Sequence, residues 1–206
     1  MLKKIFTNDK FFLTSVIISV LAAIVSFVLF LLSGISVVDF GLSKLVPSNV
    51  LVPLCVIGLY MSYQAHNKNI MKYLIGILMA IAAFVDLYNL DGYIASTPDS
   101  GSYAVIIYSL LTVFDFVLII NHIILNADHG SHPVNVRINQ ISIFIIAALN
   151  AVNFIVFVNN SKYSASPEFQ IGLISTMLTY LFAYSSIVCI ESRLDLYKAM
   201  RERQPD

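Results

Sequence analysis

The chain reads as an all-α integral membrane protein, about six transmembrane helices in one bundle with both ends in the cytoplasm. Three observations predict this. Of 206 residues, 58% are hydrophobic and 12% charged, whereas soluble domains carry about a quarter charged residues, and the mean hydropathy is +0.83. The apolar residues are gathered into runs close to the roughly 20-residue helix that spans hydrocarbon. The lysines and arginines alternate in density from one linker to the next, as chain ends held on one side of a bilayer require.

The first ten residues hold Lys3, Lys4 and Lys10, followed by an apolar run over 11–33. That run is too long for the core of a signal peptide, and no small-residue cleavage site follows it, so it is read as a retained first span. Ser15, Ser19, Ala22, Ala23 and Ser26 make a small-residue stripe on it. Such a stripe predicts close packing with another helix, a second subunit's among the candidates. The second segment, 50–64, is short and carries Pro53 and Gly58. It fits a kinked span, a re-entrant segment or an interfacial helix, and a proline near a helix start is tolerable.

Segments 70–90, 103–125, 138–158 and 169–190 complete the set. The linkers are short and rich in turn residues, so none holds a separate soluble domain. Residues 1–190 form a transmembrane helical domain and 191–206 a cytoplasmic helical extension. Tryptophan is absent, and Tyr88, Tyr93, Tyr103, Tyr108 and Tyr163 are placed to serve as interfacial aromatics.

With six spans, ten of the twelve lysines and arginines face the cytoplasm and only Lys44 and Lys162 face out. This bias places both termini inside, in a bacterial inner (plasma) membrane. In the extension, Leu194, Tyr197 and Met200 recur every three residues beside Arg193, Lys198 and Arg201. That pattern suits either a basic segment lying on anionic lipid or a docking helix for a cytoplasmic protein, with Leu194, Tyr197, Met200 and Arg201 as its contacts.

Asp115 stands near the middle of the fourth segment, and nothing basic lies inside that run. A charge at that depth costs about 2.5–3.5 kcal/mol on insertion scales, so Asp115 marks a bundle interior or a water-filled path. His122 returns to nearly the same helix face two turns later, and Asn150 and Asn153 stand near the middle of the fifth segment. A contact between Asp115 and Asn150 is expected. Asp86 lies about 6 Å from the outer end of its segment, on one face with Asn89, and a snorkelling or capping role accounts for it. Asp115 itself serves as interhelical glue, as part of an ion or proton path, or as a catalytic group, in that order of preference.

His66, His122, His129 and His132 all fall on the cytoplasmic side. Four histidines at one face are what a membrane metalloenzyme needs, but the repeated HxxxH and HxxHH boxes of membrane desaturases are missing. Cys55 and Cys189 lie in apolar runs without a CxxC pattern, so neither a disulfide framework nor a metal site is expected. Zero formal charge excludes a general nucleic-acid footprint. No Walker, GxGxxG or GxSxG motif is present, so no enzyme activity and no cofactor is expected. Asn159-Asn160-Ser161 fits the short glycosylation pattern, and the two halves of the chain do not align as inverted repeats.

The expectation is a homo-oligomeric sensor or pore-forming, channel-like subunit of a multi-component system. By analogy of architecture alone, phage-defence systems contain such subunits. Asp115, His122, Asn150, Asn153 and Asp86 would mark its intramembrane polar interface. A small ion-coupled carrier using Asp115 and Asp86 is the alternative, and a membrane metalloenzyme the third reading.

Overall fold

A computed structural model describes residues 2–33, 48–96, 101–127, 130–159 and 167–202. Of these residues 95% are helical and none lies in a strand. The helices are α1 (Leu2–Phe6), α2 (Asp9–Ser33), α3 (Ser48–Gln64), α4 (Lys68–Ser96), α5 (Gly101–Ala127), α6 (Pro133–Asn159) and α7 (Pro167–Glu202). Five of them, α2 and α4 to α7, are long and apolar enough to cross a membrane. The chain is therefore a membrane-embedded helical bundle. The expectations placed on Lys44, Lys162, His129, Tyr163 and the acceptor residues 160–161 lie outside the described residues, as do the side chains of Asn89, Tyr93 and Asn159.

Each boundary has a local cause. Asn8 Oδ1 accepts the Lys10 amide at 2.9 Å and opens α2, as an N-cap does. His66 adopts φ 56° in the turn between α3 and α4, a left-handed conformation uncommon outside glycine. Asn67 Oδ1 then accepts the Ile70 amide at 3.2 Å to cap α4. Pro133 and Pro167 open α6 and α7, at the position where a missing N–H costs nothing.

α3 has 17 residues, about 25 Å of helix, short of the roughly 30 Å hydrocarbon core. It is nevertheless a packed member of the bundle, against α2, α4 and α7, and Val52, Val56 and Leu59 are wholly buried. Pro53 is accommodated within the helix. Gly58 lets α4 come close, since a Cβ there would stand 3.2 Å from Leu74 Cδ1.

α7 is the central helix: it packs most closely on α2, then on α6 and α3, and also touches α1 and α4. In its most apolar stretch 67% of residues are buried, against 28% for α2. The small-residue stripe of α2 packs on α7 of the same chain. Ser19 Oγ donates to Thr179 O at 2.9 Å and Ser26 Oγ meets Thr176 Oγ1 at 3.3 Å, so the stripe is spent inside the chain and not on a second subunit. The opening residues also pack more than a basic leader would. Phe6 is 1% exposed, edge-on to Phe11 and Phe144 with centroids at 5.5 and 6.2 Å.

The start of α2 and the late part of α7 meet at one end of the bundle. Arg193 Nη2 lies 2.7 Å from Asp9 Oδ1, and its guanidinium covers the rings of Phe12 and Tyr63 at 4.9 and 5.2 Å, both cation–π contacts. Arg193 is 5% exposed, so it is part of the fold and not a lipid-facing cation.

Candidate functional site

Polar side chains line the interior of the bundle in two layers. The deeper layer is built on α4, α5 and α7. The Tyr184 hydroxyl donates to Asp115 Oδ1, and the Asp86 carboxyl lies against that of Asp115. Asp115 is 2% exposed. Its partners are thus Tyr184 and Asp86, not the expected Asn150, which donates to Ile146 O in its own helix at 3.0 Å. Nor does Asp86 simply snorkel outward: α4 turns it inward, onto the second carboxyl.

Beside this pair is a cavity of about 50 Å³ lined by Asp86, Tyr108, Asn150, Asn153, Tyr180 and Tyr184 among others. That is room for a few water molecules in polar surroundings. Asn153 donates to the Tyr108 hydroxyl at 3.2 Å, while its Oδ1, fully buried, has no hydrogen-bond partner among the described residues. Tyr108 therefore belongs to the interior and not to the interfacial tyrosines; Tyr88 and Tyr103 are exposed as expected.

The second layer lies two turns along α5 and α7. Asp115 to His122 and Tyr184 to Glu191 are both steps of seven residues, about 10.5 Å of helix rise. His122 Nδ1 meets Glu191 Oε1 at 2.9 Å, and Asn139 Nδ2 donates to Glu191 Oε2 at 2.8 Å. Asn121 donates to Asn139 Oδ1 at 2.8 Å, and Asn135 to Asn121 Oδ1 at 3.2 Å. Glu191, His122, Asn121 and Asn139 are all buried. Burying such groups is tolerable only when they satisfy one another, which this network does across α5, α6 and α7.

Between the layers the same helix faces turn apolar. Leu118 on α5 and Ile187 and Val188 on α7 are 0–1% exposed and stand midway between the polar positions. Buried apolar side chains thus lie along both helices between the carboxyl pair and the His122–Glu191 network, and we take them as a septum between the layers.

Beyond the second layer the bundle opens into a cleft of about 810 Å³. It is bounded by the start of α2, the α3–α4 turn, the end of α5 and the late turns of α7. His66 and His122 both line it. Among the described residues no three His, Cys, Asp or Glu side chains come together as a metal site would need.

The extension of α7 is a docked helix. Asp195 Oδ1 accepts the Ser131 hydroxyl at 3.0 Å and the His132 amide at 2.7 Å. Glu202 accepts the Ser131 amide at 2.7 Å, and Lys198 donates to Leu125 O at 2.9 Å. Of the four expected contact residues, Leu194 packs on the core while Tyr197 and Met200 are 62% and 53% exposed and Arg201 is exposed; Leu194, Tyr197 and Arg201 line the cleft.

Sequence reasoning placed Asp115, His122 and Asn153 in the interior but missed Tyr184, Glu191, Asn139 and Arg193. Glu191 and Arg193 follow the last apolar run and look like ordinary juxtamembrane charges. The available signal was spacing: Glu191 lies seven residues past Tyr184, as His122 does past Asp115. The chain matches no protein-family model, no curated protein and no solved structure.

Proposed function

We propose that this is a multi-pass protein of the bacterial inner membrane, six helices crossing with both ends in the cytoplasm, that conducts or couples the movement of protons or small cations. The observation that carries this reading is the meeting of Asp86 and Asp115 beside a water-sized cavity. Two bare carboxylates at such range in low dielectric repel strongly, so the pair is built to hold a proton or a cation. Intramembrane acids that pair with one another mark ion pathways and proton relays.

The layout supports stepwise access. The cavity reaches the pair from the half of the bundle toward the starts of α5 and α7. The septum of Leu118, Ile187 and Val188 closes the side toward the cleft. A cation on the pair would pass the septum only when α5 and α7 shift relative to each other, the small helix movement that alternating access uses. Tyr184 hydrogen-bonds Asp115 and lines the cavity, so it would orient the carboxyl and relay a proton.

A second reading, an oligomeric sensor or channel-like subunit, is favoured by the continuity of α7. One unbroken helix of 36 residues joins Tyr184 in the deep layer to the exposed Tyr197, Met200 and Arg201. A change at the carboxyl pair would reach a cytoplasmic partner along it. Flux separates ion movement from a purely sensory role. Purified protein in liposomes, loaded with a pH-sensitive dye and driven by a potassium diffusion potential, should conduct protons or exchange them for a cation. Asp115→Asn should abolish this while the protein still elutes as a folded species. Absence of any flux in the wild type across protons, sodium and potassium would reject the carrier reading.

A further inference from the structure

The charges around the 810 Å³ cleft are not balanced in their bonding. Its acids are already engaged. Asp9 pairs with Arg193, Glu191 with His122 and Asn139, and Asp195 with Ser131 and His132. Of its four cations, Lys198 donates to Leu125 O, while Lys68, Lys72 and Arg201 line the same space, are exposed, and have no ion pair among the described residues. The first turn of α4, a helix of 29 residues, begins at Lys68 and brings the positive end of its dipole to the same rim. The available electrostatic demand in the cleft is therefore for negative charge.

The other walls suit an organic body. Tyr63 and Tyr197 supply aromatic faces, and Met71, Ile75 and Leu194 an apolar floor. The volume lies within the roughly 300–1,000 Å³ usual for small-molecule sites. Three cations with a helix N-terminus fit a phosphate group; aromatic and aliphatic walls fit what the phosphate is attached to.

We propose that this cleft is a binding site for a phosphate ester, held by Lys68, Lys72 and Arg201, with its organic part against Tyr63 and Tyr197. The site stands apart from the carboxyl pair and does not rest on the ion-path reading. It touches His122 and Glu191, so an occupied cleft would bear on the network that lies between it and the septum. The ester has two sources, a soluble nucleotide-like metabolite or the headgroup of an anionic phospholipid, and the chemistry of the walls is common to both.

Two binding arms distinguish them. In one, adenosine monophosphate is titrated into the full-length protein in nanodiscs of phosphatidylcholine, with heat or a rise in melting temperature as readout. In the other, no nucleotide is added and the protein's preference for phosphatidylglycerol over phosphatidylcholine is measured by native mass spectrometry. Saturable binding in either arm is expected, weakening as salt is raised. Lys72→Gln with Arg201→Gln should weaken it about tenfold or more, the loss of charge-assisted bonds to phosphate. Lys3→Gln with Lys4→Gln removes equal charge at exposed positions away from the cleft, and should leave binding within about twofold. Lack of binding in both arms would overturn the proposal. So would equal losses in the two double variants, which would show general attraction to a basic membrane face.

Discussion

Glu191 is the side chain on which the second polar layer depends, and Glu191→Ala gives the layer a measurable energy. The residue is 5% exposed, and its two oxygens take up His122 Nδ1 at 2.9 Å and Asn139 Nδ2 at 2.8 Å. Removing it leaves two donors without acceptors on residues that are 7% and 0% exposed. An orphaned buried donor costs about 1–3 kcal/mol, so the two together give an expected loss of about 2–6 kcal/mol. Glu191→Gln keeps one carbonyl acceptor and should lose only about 1–2 kcal/mol. Unfolding in mixed bicelles, titrated with denaturing detergent and followed by circular dichroism, reads both. The cycle with Asn139→Ala should show a coupling energy of about 1–3 kcal/mol. A loss below about 1 kcal/mol for Glu191→Ala, or no difference between Ala and Gln, would refute a closed, mutually satisfied network.

Other perturbations test the remaining structure. Leu118→Ala should open the septum, raising the passive proton leak of liposomes severalfold and costing about 2–5 kcal/mol of stability as a cavity substitution; an unchanged leak would place the barrier elsewhere. Ser19→Leu forces a large side chain between α2 and α7, and should cost about 1–3 kcal/mol without altering the oligomeric state on size-exclusion chromatography. A change of oligomer without loss of stability would return the stripe to a subunit interface. Asp195→Ala removes the acceptor for the Ser131 hydroxyl and the His132 amide. Hydrogen exchange should then speed up at residues 130–132 while α2 stays protected; unchanged exchange there would deny that α7 holds this turn.

The membrane class and helix positions were legible in the sequence because lipid imposes one solution on the backbone, helices that satisfy their own hydrogen bonds. Apolar runs alone reveal them. The helical extension expected past 190 is found to Glu202, since helix formers such as Leu194, Lys198 and Met200 carry the backbone on; other helix ends were less legible, α4 running on to Ser96. The burial of Asp115 could be read from its depth in an apolar run. Its partner could not, because which faces meet across a bundle depends on helix rotation, and the apolar runs are too uniformly hydrophobic to fix that. Asp86 illustrates the limit. Its distance from the helix end suggested an outward-reaching carboxylate, whereas the α4–α5 packing turns it onto Asp115. Arg193 shows the converse, a residue that counts as a positive charge for orientation yet is spent on Asp9, Phe12 and Tyr63 inside the fold.

The claim that matters most is that Asp86 and Asp115 act as one ion-holding unit within the bundle. Proton and sodium flux should be measured in liposomes for Asp86→Asn, Asp115→Asn and the double variant, each normalised to correctly folded protein. If the two carboxyls work together, all three lose flux to the same degree, down to the level of protein-free liposomes. Wild-type flux retained by either single variant, or a double variant markedly worse than each single one, would contradict the account.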